Sequence, residues 1–356
     1  MNAHVRLAAS ITPAVAVLAL VAVWGRGLPA IVEVVVVLLL AGCVLAAVHH
    51  AEVVAHRVGE PFGSLILAVA VTVIEVGLIV TLMISGGPGV ATLARDTVFA
   101  AVMITCNGIV GLSLLVSALK RGTAPFRAEG TAGALATVIT LATLSLVLPT
   151  FTTSNPGPEF SGPQLVFAAV VSFGLYVLFV FVQSVRHRDY FVPEGDDDFH
   201  PYVPSGKTAL TSLGLLVLAL VAVVGLAKVE SKSIEDAVFA AGLPPSVVGV
   251  VIALLVLLPE TLAAARNARR DRTQISFNLA LGSAMASIGL TIPTIAVASI
   301  WLSGPLMLGL GAVHIVLLML TAVVSTLTVL LGRATLLQAG VHLALCGSYL
   351  FLAAVP

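Results

Sequence analysis

The chain has 356 residues, of which 59% are hydrophobic and only 10% are charged, and its mean hydropathy is +1.13. Soluble proteins carry about 25% charged residues, so this composition excludes a soluble globular protein and favours a chain that crosses a membrane several times. Basic and acidic residues balance at 17 each, so no net positive charge indicates a nucleic-acid partner.

Long apolar runs, separated by Gly, Pro and charged residues, predict eleven transmembrane helices. The runs are apolar all round and lack the alternation of strands, so the predicted fold class is an all-α polytopic membrane protein and not a barrel. Each run is near the ~20 residues that a helix needs to cross a bilayer. The predicted spans are 5–24, 29–48, 62–85, 97–119, 131–149, 163–185, 208–227, 244–265, 274–300, 304–331 and 335–355.

Basic residues are unevenly distributed between the two sides of these eleven spans. With a cytoplasmic N-terminus, thirteen of the 17 Lys and Arg residues fall on inner segments, and four fall on outer ones. The outer four are Arg26, Arg95, Lys228 and Lys232. Because cytoplasmic loops carry the excess of Lys and Arg, we predict an integral protein of the plasma (inner) membrane with its N-terminus inside and its C-terminus outside.

One polar stretch, 186–207, is long enough to be a linker, and it contains the acidic cluster 194–198. The part of the chain before this linker contains a leading helix (1–28) and a first group of five helices (29–185). The part after it contains a second group of five helices (208–356). An odd number of crossings in each group places the two groups in opposite orientations. The sequence therefore predicts one leading helix followed by two inverted five-helix repeats, joined by a cytoplasmic acidic linker.

Two carboxylates interrupt the apolar runs, Glu75 in the third span and Glu260 in the eighth. An ionisable side chain in hydrocarbon costs on the order of 2.5–3.5 kcal/mol, so such residues usually have a function. At 1.5 Å per residue, Glu75 lies ~20 Å from the inner end of its span and Glu260 lies ~24 Å from the outer end of its own. Both are therefore near mid-depth, and we predict that they meet in one cation and proton site. The alternative for each residue is an inert, neutral carboxyl hydrogen-bonded inside the bundle.

The sequences around the two carboxylates resemble each other. A glycine precedes each carboxylate at a similar spacing, 12 residues for Gly63 and 11 residues for Gly249. In the following spans, an alignment on the two Gly-Leu pairs superposes Thr105 on Ser283. The polar positions of the two repeats thus coincide, which favours a paired function over two unrelated buried acids.

Neutral oxygen atoms are predicted at a similar depth. They belong to Thr72, Thr105, Asn107 and Ser283, and Pro259 frees a backbone carbonyl one turn earlier in its helix. Carboxylate, hydroxyl, amide and carbonyl oxygens suit Ca²⁺, or Na⁺ where fewer charges are needed. The metal ligands predicted most directly are the two carboxylates. Small polar residues also serve as packing contacts between membrane helices, so for these four both roles stay open.

A second polar group follows the second span. His49, Glu52 and His56 share one face of a continuing helix, and His50 and Glu60 lie beside them in the sequence. We interpret this group as an inner vestibule or a proton relay, with a solvated helix end as the alternative. The spacing is not HExxH, and the chain has no GxSxG, so no enzyme and no cofactor are predicted.

Two long stretches resemble a known family. The first reads HHAEVVAHRVGEPFGSLILAVAVTVIEVGLIVTLM, followed by ARDTVFAAVMITCNGIVGLSLLV. The second reads GLPPSVVGVVIALLVLLPETLAAARNA, followed by ALGSAMASIGLTIP. Together they resemble the ChaA-type branch of the calcium/proton exchangers, within the Ca²⁺:cation antiporter superfamily. Glu75 and Glu260 occupy the positions at which the family's repeats carry an ion-binding Glu, but the family's Gly-Asn-Ala segment is absent.

This resemblance implies a secondary transporter that extrudes Ca²⁺ from the cytoplasm in exchange for protons by alternating access. Its partners would be inorganic cations, protons and the lipid bilayer, and the acidic linker matches the family's cytosolic acidic region. Antiport of Na⁺ or K⁺ against protons on the same site is the nearest alternative. A cation channel and an intramembrane enzyme are the other classes, and the few polar residues at mid-depth argue against a channel. The oligomeric state is left open.

Overall fold

The computed structural model describes residues 3–59, 62–86, 89–192, 203–302 and 304–356. The described part is a bundle of helices with two three-residue strands. The helices are α1 (Ala3–Val23), α2 (Ala30–Val58), α3 (Phe62–Ser85), α4 (Val90–Arg121), α5 (Ala128–Phe151), α6 (Gly162–Arg186), α7 (Gly206–Ala240), α8 (Ser246–Val256), α9 (Leu258–Arg269), α10 (Thr273–Ala298), α11 (Ala312–Val329) and α12 (Leu336–Ala354). The strands are β1 (Thr123–Pro125) and β2 (Arg333–Thr335), which pair antiparallel.

The all-α polytopic architecture is confirmed. Among the described residues, nine helices are long and apolar enough to cross a membrane, and the bent pair α8–α9 makes a tenth. Helix α1 has a shorter apolar part, Leu7–Val23. Each predicted span overlaps one of these helices, so the predicted count of eleven is close to the ten spans and one shorter apolar helix that the structure has.

One predicted span begins later than expected. The span predicted over 304–331 becomes helical only at Ala312. Before it, the backbone is extended and bonds to other segments, with the Leu310 amide donating to the Leu146 carbonyl at 2.8 Å. Pro305 and the glycines at 304, 309 and 311 explain the difference, because Pro lacks an amide donor and Gly is a poor helix former.

The helices form two compact units. Unit 1 comprises Met1–Val90 and Phe199–Val248 and contains α1, α2, α3 and α7. Within it, α7 packs against the other three helices. A Cβ atom on Gly77 of α3 would lie 2.6 Å from a methyl group of Val224 on α7, so glycine is needed for this close approach.

Unit 2 comprises Ala91–Asp198 and Gly249–Pro356. Helix α10 is its centre and packs against α4, α5, α6 and α9. A Cβ atom on Gly249 would lie within 3.0 Å of backbone atoms of Asp96 and Thr97, so α8 approaches α4 through a glycine that also marks the repeat. Each unit therefore takes helices from both halves of the sequence, and the division into two inverted repeats stays a prediction.

The turn between α9 and α10 is held by charges of unit 2. Asp271 has a positive φ of 64° and pairs with Lys120 at 2.8 Å and with Arg121 at 2.9 Å. The hydrogen bond from Lys120, together with the Arg121 charge, lowers the pKa of Asp271 below its ordinary value. Asp tolerates this left-handed conformation better than most residues, so one side chain serves both the turn and the ion pairs.

Candidate functional site

Glu75 lies in the middle of α3, thirteen residues after Phe62 and ten before Ser85. Its side chain is only 3% exposed, and Thr72, one turn earlier on the same helix face, is also buried. The surrounding helix is strongly apolar, with a mean hydropathy of 2.7 over an 18-residue window within Leu65–Ser85. Unit 1 thus holds one carboxylate and one hydroxyl at mid-helix, as the sequence predicts.

Glu260 lies in unit 2 at a break between two helices. Helix α8 ends at Val256, α9 begins at Leu258, and the two are bent by 50°. Pro259 explains the break, because its ring cannot donate an amide hydrogen bond and clashes with the preceding turn. Glu260 is 6% exposed and sits in the first turn of α9, where the partial positive charge of a helix N-terminus stabilises a carboxylate. Broken helices of this kind hold ion sites in transporters.

Three other predicted residues lie on elements that surround α9 in unit 2. Helix α9 packs against α10 and α4, including the stretch Ile104–Ile109 of α4, which is a π-helix. This stretch carries Thr105 and Asn107, both buried, and α10 carries the half-buried Ser283. Single π-helical turns inside α-helices occur frequently at functional sites. The structure therefore places Glu260, Thr105, Asn107 and Ser283 on three mutually packed elements.

Asn107 is held by side chains that the sequence analysis did not single out. Its Oδ1 atom accepts a hydrogen bond from Nδ1 of His342 at 3.2 Å, and its Nδ2 atom donates to Oγ1 of Thr321 at 3.0 Å. The other ring nitrogen of His342 accepts from the Thr328 hydroxyl at 3.1 Å. The amide thus connects α4 with α11 and α12. No local pattern could have revealed this contact, because His342 is 235 residues further along the chain.

The hydroxyl group of Thr105 has a local partner. It donates to the carbonyl of Ala101 at 2.7 Å, one turn earlier on α4. This bond uses the hydroxyl hydrogen and leaves the oxygen lone pairs as acceptors. The geometry is compatible both with a packing role and with a ligand role.

The histidine group on α2 separates into two parts. His50 is buried in unit 1, and its Nε2 atom donates to the Ala9 carbonyl of α1 at 3.1 Å. His56 is exposed, and its Nδ1 atom donates to the Glu52 carbonyl at 2.7 Å. His49 and Glu52 are half-buried. Glu60 lies outside the described residues, as does the acidic cluster 194–198.

Unit 2 contains an ion pair between the half-buried Arg95 and the buried Asp96, whereas the sequence analysis counted Arg95 only as an outer basic residue. Arg95 contacts Asp96 at 2.8 Å and donates to the Gly309 carbonyl at 3.1 Å. The Thr92 hydroxyl donates to the second oxygen of Asp96 at 2.8 Å. The sequence could have indicated this ion pair, because Arg95 and Asp96 are adjacent opposite charges at the start of an apolar run. The pair ties α4 to the extended segment before α11.

Within the part of the chain that the structure describes, no group of three or more His, Cys, Asp and Glu side chains has the arrangement of a metal site. Buried hydroxyl and amide oxygens lie near Glu75 and Glu260 in their respective units, at Thr72, Thr105 and Asn107. Such neutral oxygens are common ligands of Ca²⁺.

Comparisons with known proteins agree with this architecture. The sodium/calcium exchanger protein family matches residues 28–185 and 211–355. The chain is 49% identical to the y4hA protein of Sinorhizobium fredii, whose name describes an ionic transporter, over 89% of this chain and 87% of the relative. It is 34% identical to the sodium-potassium/proton antiporter ChaA of Escherichia coli, over 86% of this chain and 84% of the relative. The solved structure of YfkE superposes with a TM-score of 0.75 at 14% identity, covering 99% of this chain and all of YfkE.

Proposed function

We propose, because the chain belongs to the sodium/calcium exchanger protein family, that it is a calcium/proton antiporter that extrudes Ca²⁺ from the cytoplasm. The observation that carries this proposal is the burial of two carboxylates, Glu75 in the middle of α3 and Glu260 at the break between α8 and α9. Buried acids at mid-helix are functional by default in a membrane protein. Their matching positions in the two sequence repeats support a shared role.

The exchange of a cation for protons follows from the negative charge of the two carboxylates. An ionised carboxylate in an apolar environment is expensive unless an opposite charge compensates it. One divalent cation or two protons neutralise the pair, so the two kinds of ion compete for the same oxygens. Reorientation of the neutral form alone would couple cation export to proton import by alternating access. In this mechanism Glu75 and Glu260 bind the ions, and Thr72 supplies a neutral oxygen near Glu75.

The break before Glu260 has two consequences for this mechanism. Pro259 leaves the carbonyl of Leu255, one turn earlier, without its usual helical donor, so this oxygen is a candidate ligand. The N-terminus of α9 stabilises the ionised form of Glu260 when the site holds a cation. We also propose that the N-terminus faces the cytoplasm, as the distribution of basic residues indicates.

One comparison favours a second candidate function, antiport of Na⁺ or K⁺ against protons. ChaA, which is 34% identical to this chain, is named a sodium-potassium/proton antiporter. Two carboxylates favour a divalent ion, whereas one carboxylate kept protonated would leave a site for a monovalent ion. The same residues serve both functions, so only the cargo differs.

Proton flux in proteoliposomes tests these proposals. The purified chain is reconstituted with a pH-sensitive dye inside, and Ca²⁺, Na⁺ or K⁺ is added outside in turn. We expect Ca²⁺ to drive proton movement in the opposite direction, with saturation at carrier-like rates. Proton movement with Na⁺ or K⁺ but not with Ca²⁺ would support the second candidate. No proton movement with any cation, from folded protein, would contradict antiport altogether.

A further inference from the structure

A second pair of carboxylates lies in unit 1, away from Glu75. Glu33 is in the first turn of α2, and Glu230 is on α7. Ser233, one turn after Glu230 on the same face of α7, donates to the Glu33 carboxylate at 2.9 Å. This bond places the Glu33 carboxylate beside Glu230, close enough for their charges to interact.

Glu230 is the unusual member of the pair. Its side chain is only 1% exposed, and neither of its carboxylate oxygens has a hydrogen-bonding partner among the residues that the structure describes. In the same part of the chain, neither Glu33 nor Glu230 takes part in an ion pair. Buried carboxylates are normally paired or hydrogen-bonded, because an uncompensated buried charge is costly. Among the described residues, therefore, no positive group pairs with Glu230.

The neighbouring polar side chains Ser231, Ser85 and Lys228 are bonded to one another rather than to Glu230. Ser231 and Ser85 are within hydrogen-bonding distance of each other at 3.2 Å, which connects α7 to the C-terminal end of α3. Lys228 donates to the Ser85 hydroxyl at 2.7 Å, and its side chain is otherwise exposed. The lysine charge is thus directed to a hydroxyl and to solvent rather than to Glu230.

From these contacts we infer that Glu33 and Glu230, with the Ser233 hydroxyl, form a second binding site for a hard inorganic cation. Carboxylate and hydroxyl oxygens are the ligands that Ca²⁺ and Na⁺ prefer. A proton shared directly between the two carboxyl groups would require a hydrogen bond between them, and Glu230 makes none in this structure. A cation between the carboxylates requires no such contact.

This site is separate from the proposed exchange site. Ser85 is ten residues after Glu75 on α3, which is ~15 Å along the helix axis. Ser231 contacts Ser85, so the carboxylate pair lies near the end of α3 rather than at its middle. Glu33 and Ser233 are only half-buried, which gives an ion access from the helix end. Binding here should therefore survive changes at Glu75.

Equilibrium binding of ⁴⁵Ca²⁺ and of ²²Na⁺ to the full chain in nanodiscs tests the inference. The variants are Glu230→Gln, Glu33→Gln, Glu75→Gln and, as a matched control on the same helix, Glu235→Gln. We expect the Glu230 and Glu33 variants to lose one ion per chain, or to bind it at least tenfold more weakly, and to keep the ion of the exchange site. The Glu75 variant should lose only the exchange-site ion, and the Glu235 variant should lose none. The ion whose binding is lost in the Glu230 and Glu33 variants, Ca²⁺ or Na⁺, is the ion that the site holds, and either result supports the site.

Thermal unfolding of the same samples gives a second readout. Without cations, the Glu230→Gln variant should unfold at a higher temperature than the wild type, because it removes an uncompensated charge. With the cation, its unfolding temperature should rise less than that of the wild type, because only the exchange site still binds the ion. If this variant does not fold, Glu33→Gln, at a half-buried position, carries the same binding test. Unchanged binding in both variants, or a change in proton uptake alone, would overturn the inference whether or not the chain proves to be an antiporter.

Discussion

Individual side chains differ in how far the sequence could specify their role. The burial of Glu75 and Glu260 was predictable, because a carboxylate inside a long apolar run has no route to water. The partners of Asn107 were not, because they lie on α11 and α12 and depend on tertiary packing. Both polar atoms of this amide are engaged, so its first role is to connect helices.

Replacing Asn107 by Ala should therefore destabilise unit 2. The change removes the hydrogen bonds that His342 and Thr321 make to Asn107, and leaving buried polar atoms unsatisfied typically costs about 1–3 kcal/mol. Thermal unfolding in detergent measures the effect. The matched control is Asn267→Ala, because Asn267 is half-buried and its side-chain amide donates to the Ala263 carbonyl of its own helix.

An unfolding temperature for Asn107→Ala equal to that of the Asn267 variant would show that the network contributes little. Loss of cation-driven proton flux without any loss of stability would instead favour Asn107 as an ion ligand. The two roles, which the sequence left open, are thus separable.

Among the helices, breaks were predictable only where a residue type enforces them. Pro259 in an apolar run predicts a break, and the structure has a 50° bend there. The π-helical stretch Ile104–Ile109 contains no Pro and none follows it closely, so nothing in the sequence indicated it. The extended segment before Ala312 contains Pro and Gly, but its apolar composition favoured a helix instead.

The Pro259→Ala variant tests the importance of the break. Restoring the amide should favour a straighter helix, remove the free carbonyl and move Glu260 away from a helix N-terminus. We expect cation-driven proton flux to fall at least tenfold, while the unfolding temperature stays equal or rises. The control is Pro13→Ala, since Pro13 also lies inside a helix but α1 carries no predicted site residue. Normal flux in the Pro259 variant would contradict a role for the break.

For the whole chain, apolar length and the distribution of basic residues were enough to predict an all-α membrane protein and the approximate positions of its spans. They could not predict which helices pack together. Unit 1 combines α1, α2 and α3 with α7, and unit 2 combines helices from both halves of the sequence. Such pairing depends on shape, as at Gly77 against Val224, and hydropathy carries no information about it.

The orientation of the chain is a separate prediction at this scale. In whole cells, a membrane-impermeant maleimide should label a Pro356→Cys variant and should leave an Arg188→Cys variant unlabelled until the cells are permeabilised. The reason is the excess of Lys and Arg on the segments predicted to be inside. The native cysteines Cys43 and Cys106 are buried and Cys346 is half-buried, so the unmodified chain gives the background. The reverse labelling pattern would contradict the predicted topology.

The central claim is that Glu75 and Glu260 act as one ion-exchange site. Cation-driven proton flux is measured in proteoliposomes for Glu75→Gln, Glu260→Gln, the double variant, and Glu129→Gln as a control near the start of α5. Residues that act as a unit give non-additive losses, so we expect each single variant to lose about 100-fold in rate and the double variant to lose no more. Exchange at the wild-type rate in either single variant, with the protein folded, would contradict the claim.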